Sequence, residues 1–340
     1  MLETGLVRSK NSINVAVKNL LDFAISMLAF AIFGFSLMFG DSHGGWFGSI
    51  LDFTSSNDLG AFFLYQMVFC GTAATIVSGA IAERSKLSAY LLIVAVLSAV
   101  TYPLIGHWCW GGALENTASG WLAGWGFVDW AGATVVHITG GFAALAAVIA
   151  IGPRRNYNKG KLTGGHSLTI AIMGCFLLWF GWWGFNGGSG LNADQNVAHV
   201  LLNTNLGAVA GLLAAACWSL IQTGKTDVVD LITGTLAGLV AITGACHVIS
   251  PWASLIAGVV GSIIALYTVE VLKKRNIDDA VGAIGVHGAA GIWGTVVFAI
   301  FAPTDMLACE SRLAQLSTQA IGAAVAAGFS FITILSLIHI

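Results

Sequence analysis

The chain has 340 residues, 57% of them hydrophobic and 9% charged, with a formal net charge of −2 and a mean hydropathy of +0.85. So little polar surface excludes a soluble globule, and the composition is that of an all-α polytopic membrane protein. The same balance offers no basic surface for nucleic acid, and the six cysteines (Cys70, Cys109, Cys175, Cys217, Cys246 and Cys309) include no close pair that would frame a disulfide or metal site.

Apolar runs long enough to cross a bilayer lie near 15–39, 60–82, 87–109, 131–151, 167–186, 197–220, 229–247, 252–272, 283–302 and 314–340, which predicts ten spans. The first run has no hydrophobic segment before it and Ile340 ends the last, so a partial chain is expected. If the spans alternate, one side carries the linkers 1–14, 83–86, 152–166, 221–228 and 273–282. Arg8, Lys10, Arg84, Lys86, Arg154, Arg155, Lys159, Lys161, Lys225, Lys273, Lys274 and Arg275 fall on that side, with Lys18 at the near end of the first span, and only Arg312 falls opposite. That bias marks the side as cytoplasmic and supports the span count, since a missed span would scramble it. Loops this short leave no extramembrane domain, so residues 1–340 are read as a single transmembrane domain. Of the 43 glycines, Gly207/Gly211 and Gly234/Gly238 have the four-residue spacing that lets helices approach closely.

The pattern Asp-x-x-Gly-Ala-x-x-Val-His-x-x-x-Gly occurs twice, from Asp129 through His137 to Gly141 and from Asp279 through His287 to Gly291. In α-helical geometry the eight-residue step from Asp to His covers about 12 Å, so an aspartate at the membrane surface puts its histidine near the middle of a roughly 30 Å core. Five crossings separate the copies, an odd number, so the two spans run in opposite directions. Such inverted repeats place a substrate path at their interface near mid-depth. Asp129 then lies at the outer surface, Asp279 at the inner one, and the histidines converge. Desolvation favours neutral imidazoles, and two of them sharing a hydrogen bond can accept and pass a proton. Two separately satisfied core histidines are the alternative. No second ligand stands one turn from either histidine, so no metal is expected.

Five stretches carry a family resemblance: 5–11 (GLVRSKN), 79–84 (GAIAER), 129–137 (DWAGATVVH), 181–189 (GWWGFNGGS) and 278–294 (DDAVGAIGVHGAAGIWG). In this order, along nearly the whole chain, they resemble the Amt/Mep/Rh ammonium transporter family on its Amt side. The resemblance implies a bundle of eleven helices with inverted five-helix repeats, a homotrimer in the plasma membrane, and one narrow hydrophobic pore per subunit. GLVRSKN matches the loop after the family's first helix, so that helix and the cytoplasmic tail are expected to be missing and about ten helices to be present.

By the same resemblance Trp110, Ser189 and Asp129 form the outer ammonium-recruitment site. Trp110 offers a cation–π face, Ser189 a hydroxyl, and Asp129 organises the site from behind. Phe69 and Phe185 match the stacked rings of the outer gate, and Trp182, His137 and His287 match the pore lining. Read from the residues alone, any one aromatic is more often lipid-facing or an interface anchor than a gate, Ser189 could equally be a loop serine in a Gly-rich turn, and Asp129 could be a helix cap. Asp41, Asp52, Asp58 and Asp194 read as a solvated outer face, and Gly282 departs from the family where some bacterial members carry an acid. The implied function is transport of ammonium or ammonia, with no cofactor and no enzymatic step. The alternative is the ammonium-sensing membrane domain of a receptor with a fused signalling domain. A PII-type regulator is a possible partner, and the Trp110/Ser189 pair argues against a Rh-like gas channel.

Overall fold

The computed structural model describes residues 1–50, 57–157 and 165–339. Asp52, Lys159, Lys161 and the side chain of Asp58 fall outside the described residues. After a short helix at Leu2–Leu6 come α1 (Ser9–Phe39), α2 (Gly60–Ala80), α3 (Leu87–Glu115), α4 (Ala133–Ile151), α5 (Leu168–Gly190), α6 (Asn196–Thr223), α7 (Val228–Thr243), α8 (Pro251–Lys274), α9 (Ile284–Phe301) and α10 (Arg312–Ile338). All but α7 are long and apolar enough to span a membrane. Large apolar side chains point outward, among them Ile13, Leu20 and Phe33 of α1 and Phe176 and Phe180 of α5, as a lipid solvent allows.

The span expected at 229–247 is shorter than drawn, because α7 ends at Thr243. The carbonyls at its end do not continue a helix; that of Gly244 accepts the backbone N–H of Trp130 at 3.1 Å and that of Thr243 accepts the N–H of Ala131 at 3.2 Å. The end of α7 is thereby joined to the outer start of the first repeat copy, and its unpaired carbonyls are satisfied without water.

Small residues draw the bundle together. A side chain on Gly211 would collide with the Gly234 carbonyl at 2.2 Å and one on Gly238 with the Gly207 carbonyl at 2.3 Å, so the two glycine pairs of α6 and α7 face each other. The last glycine of each repeat copy acts likewise. Gly141 of α4 lies against the Gly288 backbone of α9, where an added Cβ would sit 2.3 Å from N, and Gly291 of α9 lies 3.0 Å by the same measure from the Ala133 carbonyl of α4. The two histidine-bearing helices therefore touch backbone to backbone beside their histidines.

One end of the molecule is clamped by ion pairs. Arg154 joins Glu83 (3.2 Å) and Asp278 (2.8 Å), Arg8 adds to Glu83 (3.1 Å), and Arg84 adds to Asp278 (3.3 Å). These residues come from the linkers assigned to the basic, inner side, and Glu83 reaches them from a left-handed backbone conformation at φ +70°. Burial pushes the Glu83 carboxyl up, but hydrogen bonds from Arg8 and Asn11 outweigh it and hold the group down at about 2.

Candidate functional site

Both copies of the repeat begin with the same device. The Asp129 carboxylate accepts the backbone N–H groups of Gly132, Ala133, Thr134 and Val135 at 2.8–3.0 Å. Asp279 accepts those of Gly282, Ala283 and Ile284 at 2.7–3.1 Å. Each aspartate thus satisfies the orphan donors of a helix start and complements its dipole. Gly132 (φ +99°) and Gly282 (φ +79°) turn the chain into that start through a left-handed conformation closed to most side chains. This corrects the expectation of an unbroken α-helix from aspartate to histidine. In both copies the aspartate precedes the helix and the first turn is a π-helix, Ala133–Ile138 and Ile284–Ala289, with the histidine inside it. Wide turns of this kind are rare and concentrate at functional sites.

The two histidines meet. His137 Nδ1 and His287 Nδ1 are 3.1 Å apart and their rings are nearly parallel, 5.1 Å between centroids. A hydrogen bond between two Nδ1 atoms carries one proton, so in the neutral pair one Nε2 is a donor and the other an acceptor. His137 is fully buried, and its Nε2 has no hydrogen-bond partner among the described residues. His287 lines a cavity of about 320 Å³ toward the inner end, with Trp182 beside it.

On the outer side His137 is covered by aromatic rings. Trp182 and Phe185 stack near it at 5.3 and 5.6 Å, and Phe185 in turn stacks on Phe69 at 4.1 Å with 6° between planes. Trp182 is fixed by a hydrogen bond from its Nε1 to Thr243 at the end of α7, 2.9 Å. Trp110 packs edge-on to Phe69 at 6.3 Å, and its Nε1 donates to the Asp129 carbonyl at 2.7 Å. Ser189, in the last turn of α5, lines an outer cavity of about 370 Å³. All eight residues singled out in the sequence are brought into one column running from Ser189 to His287.

Tyr65 was not anticipated. Its hydroxyl lies 2.8 Å from Ser189 Oγ and donates to the Phe185 carbonyl at 2.7 Å, while its ring packs on Phe69 at 4.5 Å. One side chain thus fixes the serine and both gate rings. The available signal was its position four residues before Phe69, on the same helical face. Trp130 was also missed; it stacks on His247 at 4.2 Å and donates to the Asn186 carbonyl, tying the first repeat copy to α5. Asp194 is exposed and caps the following turn through the N–H of Asn196, and Asp41 is exposed as well, as a solvated face requires.

A family model described as the Ammonium Transporter Family matches residues 1–340. A Synechocystis relative bearing an ammonium-transporter name is 43% identical, over 97% of this chain and 63% of its own length. Ammonium transporter Amt2 of Archaeoglobus fulgidus is 46% identical, over 92% of this chain and 70% of its own. Among solved structures, one titled Sensor Amt Protein superposes with a TM-score of 0.94 at 41% identity, covering 99% of this chain and 87% of that one. The chain therefore spans under two thirds of the first of these relatives, and along all of its own length it belongs to the ammonium transporter family.

Proposed function

We propose that this chain moves ammonium across the membrane by stripping and returning its proton. The observation that carries the reading is the histidine pair, 3.1 Å apart, beneath two stacked phenylalanines in an otherwise apolar column. Ammonium and potassium are alike in size and charge, so a carbonyl-lined ion pore would separate them poorly. Deprotonation separates them completely, since potassium has no proton to lose. In this reading the face of Trp110 and the Ser189 hydroxyl recruit the cation. Asp129 stabilises it from behind, and Phe69 and Phe185 admit only the neutral molecule. Trp182, His137 and His287 line the path. The unpartnered Nε2 of His137 supports this, because it can hydrogen-bond ammonia; uptake of a proton at the acceptor Nε2, passage of the shared proton between the Nδ1 atoms and release from the other Nε2 together carry one proton across the pair and exchange the donor and acceptor roles of its rings. The protein acts as a homotrimer in the plasma membrane, open to a PII-type regulator.

The test is current in proteoliposomes after an ammonium pulse, with potassium as control. His137→Ala and His287→Ala are each expected to abolish ammonium-selective current or to admit potassium; unchanged flux and selectivity in both variants would overturn the mechanism. The likeness to the structure titled Sensor Amt Protein favours a second reading, in which the domain reports ammonium to a signalling module. Ammonium binding without current would select it.

A further inference from the structure

Residues 126–128, which lead into Asp129, form no helix or strand, so their backbone groups need partners from elsewhere. Two fully buried glutamines of α10, one turn apart, supply them. Gln315 Nε2 donates to the Gly126 carbonyl at 2.8 Å, and its Oε1 accepts the N–H groups of Ala308 and Cys309 at 2.9 and 3.1 Å. Gln319 Oε1 accepts the Val128 N–H at 2.9 Å, and its Nε2 donates to the Val128 carbonyl at 2.6 Å and the Thr295 carbonyl at 2.9 Å. Gln315 Nε2 also donates to Gln319 Oε1 at 3.2 Å. An amide side chain has two donor and two acceptor positions, and both glutamines use all of theirs.

Gln319 reaches Asp129 by two routes. Val128 is the residue before Asp129, and Gln319 grips both its N–H and its carbonyl as a neighbouring strand would, which fixes the peptide plane that enters Asp129. The second route runs through α9. Thr295, whose carbonyl Gln319 holds, has its Oγ1 2.6 Å from Thr134 Oγ1, and the Thr134 N–H donates to Asp129 Oδ2 at 2.8 Å. The circuit from Gln319 through Thr295 and Thr134 to Asp129 and back through Val128 is closed. In the inner copy the residue before the aspartate, Asp278, is gripped by the charges of Arg84 and Arg154. An arginine in the outer position would be a counter-ion to Asp129 and would compete with a recruited cation, whereas a neutral amide holds the backbone without adding charge.

We propose that Gln319 is a positioning residue for ammonium recruitment: it touches no substrate, and it sets the place of Asp129 behind the outer site. The proposal rests on the reading that Asp129 stabilises the recruited cation from behind. A carboxylate acts on a cation through its fixed place more than through its presence, so loosening that place weakens binding while the path beyond the gate is left intact.

Hydrogen exchange and ammonium titration of the purified protein test it. In Gln319→Leu the amides of Gly132, Ala133, Thr134 and Val135 should exchange about tenfold faster, with those of Gly282, Ala283 and Ile284 in the inner copy unchanged. The ammonium dissociation constant, read by calorimetry, should rise about tenfold, equivalent to about 1.4 kcal/mol. In proteoliposomes the maximal current should stay within about twofold of wild type. Gln319→Glu, which keeps the size and the acceptor for the Val128 N–H but loses both donors, should show a smaller shift in the same direction and serves if the leucine variant does not fold. Ser330→Ala is the structural control. It removes another buried hydrogen bond of α10, from Ser330 Oγ to the Thr139 carbonyl at 2.7 Å, and should leave the dissociation constant unchanged. Outer-copy amides as protected in both Gln319 variants as in wild type, or faster exchange in both copies alike, overturn the proposal. An unchanged dissociation constant in the Gln319 variants overturns it too. A wild type that binds ammonium without carrying current counts against transport alone, since the dissociation constant still reports on Gln319.

Discussion

Asp129 and Asp279 hold matching places in the two copies of the repeat, yet their surroundings differ. Asp129 is buried, accepts four backbone N–H groups, and has Trp110 bonded to its own carbonyl. Asp279 is only partly buried and accepts three, and its neighbour Asp278 is drawn into the arginine network with Arg84 and Arg154. The histidines differ in the same sense, His137 sealed beneath rings and His287 opening on a cavity. An inverted repeat supplies one backbone device twice; what each copy faces decides its task. The outer copy is arranged around aromatics and the inner one around fixed charge.

The sharpest way to break that comparison is to remove each cap. Asp129→Ala strands four donors in a dry setting and should cost roughly 3 kcal/mol or more, whereas Asp279→Ala, closer to water, should cost roughly half as much. Thermal unfolding in detergent measures both, and equal losses would mean that the surroundings do not matter. A smaller effect concerns the inner charge network. The Glu83 carboxyl is held at about 2, below its ordinary 4.5, so its contribution to stability is complete above about pH 4.5 and is lost as pH falls toward 2. An acid titration of unfolding should therefore be steeper in wild type than in Glu83→Gln within that window, and superimposable curves would remove Glu83 from the account. The smallest effect belongs to the outer end. Tyr65→Phe deletes one hydroxyl bridge to Ser189 and the Phe185 carbonyl and should raise the half-saturating external ammonium concentration a few-fold, about 1 kcal/mol, with stability nearly unchanged.

Much of this was legible in the residues because a bilayer constrains a chain more tightly than water does. Spans had to be apolar and of fixed length, basic residues had to collect at one end, and an odd number of crossings between the two motif copies fixed their opposed directions. The aspartates were recognisable as caps from the small residues after them. Harder to read were features that depend on which helices touch. The arginine network unites Arg8, Glu83, Arg154 and Asp278, which lie up to 270 positions apart, and no local pattern pairs them. Tyr65 was hidden among many aromatics, since its role comes from a serine 124 residues away. The span drawn to 247 ran past the true end of α7 because hydropathy continues through a segment whose backbone bonds leave the helix.

The π-turns place a constraint on how the two histidine helices can change. A wide turn is an α-helix carrying one surplus residue, so everything beyond it is rotated by about 100° relative to an uninterrupted helix. His137 and His287 lie within such turns, and Gly141 and Gly291, the contact points of the two helices, follow after them. Losing one residue from either turn would alter no charge and little hydrophobicity, but it would swing the contact glycine away from its partner and leave the imidazoles in different registers. The chemistry of the pair therefore depends on a count of residues as much as on their identity, and both halves of the molecule keep the same count.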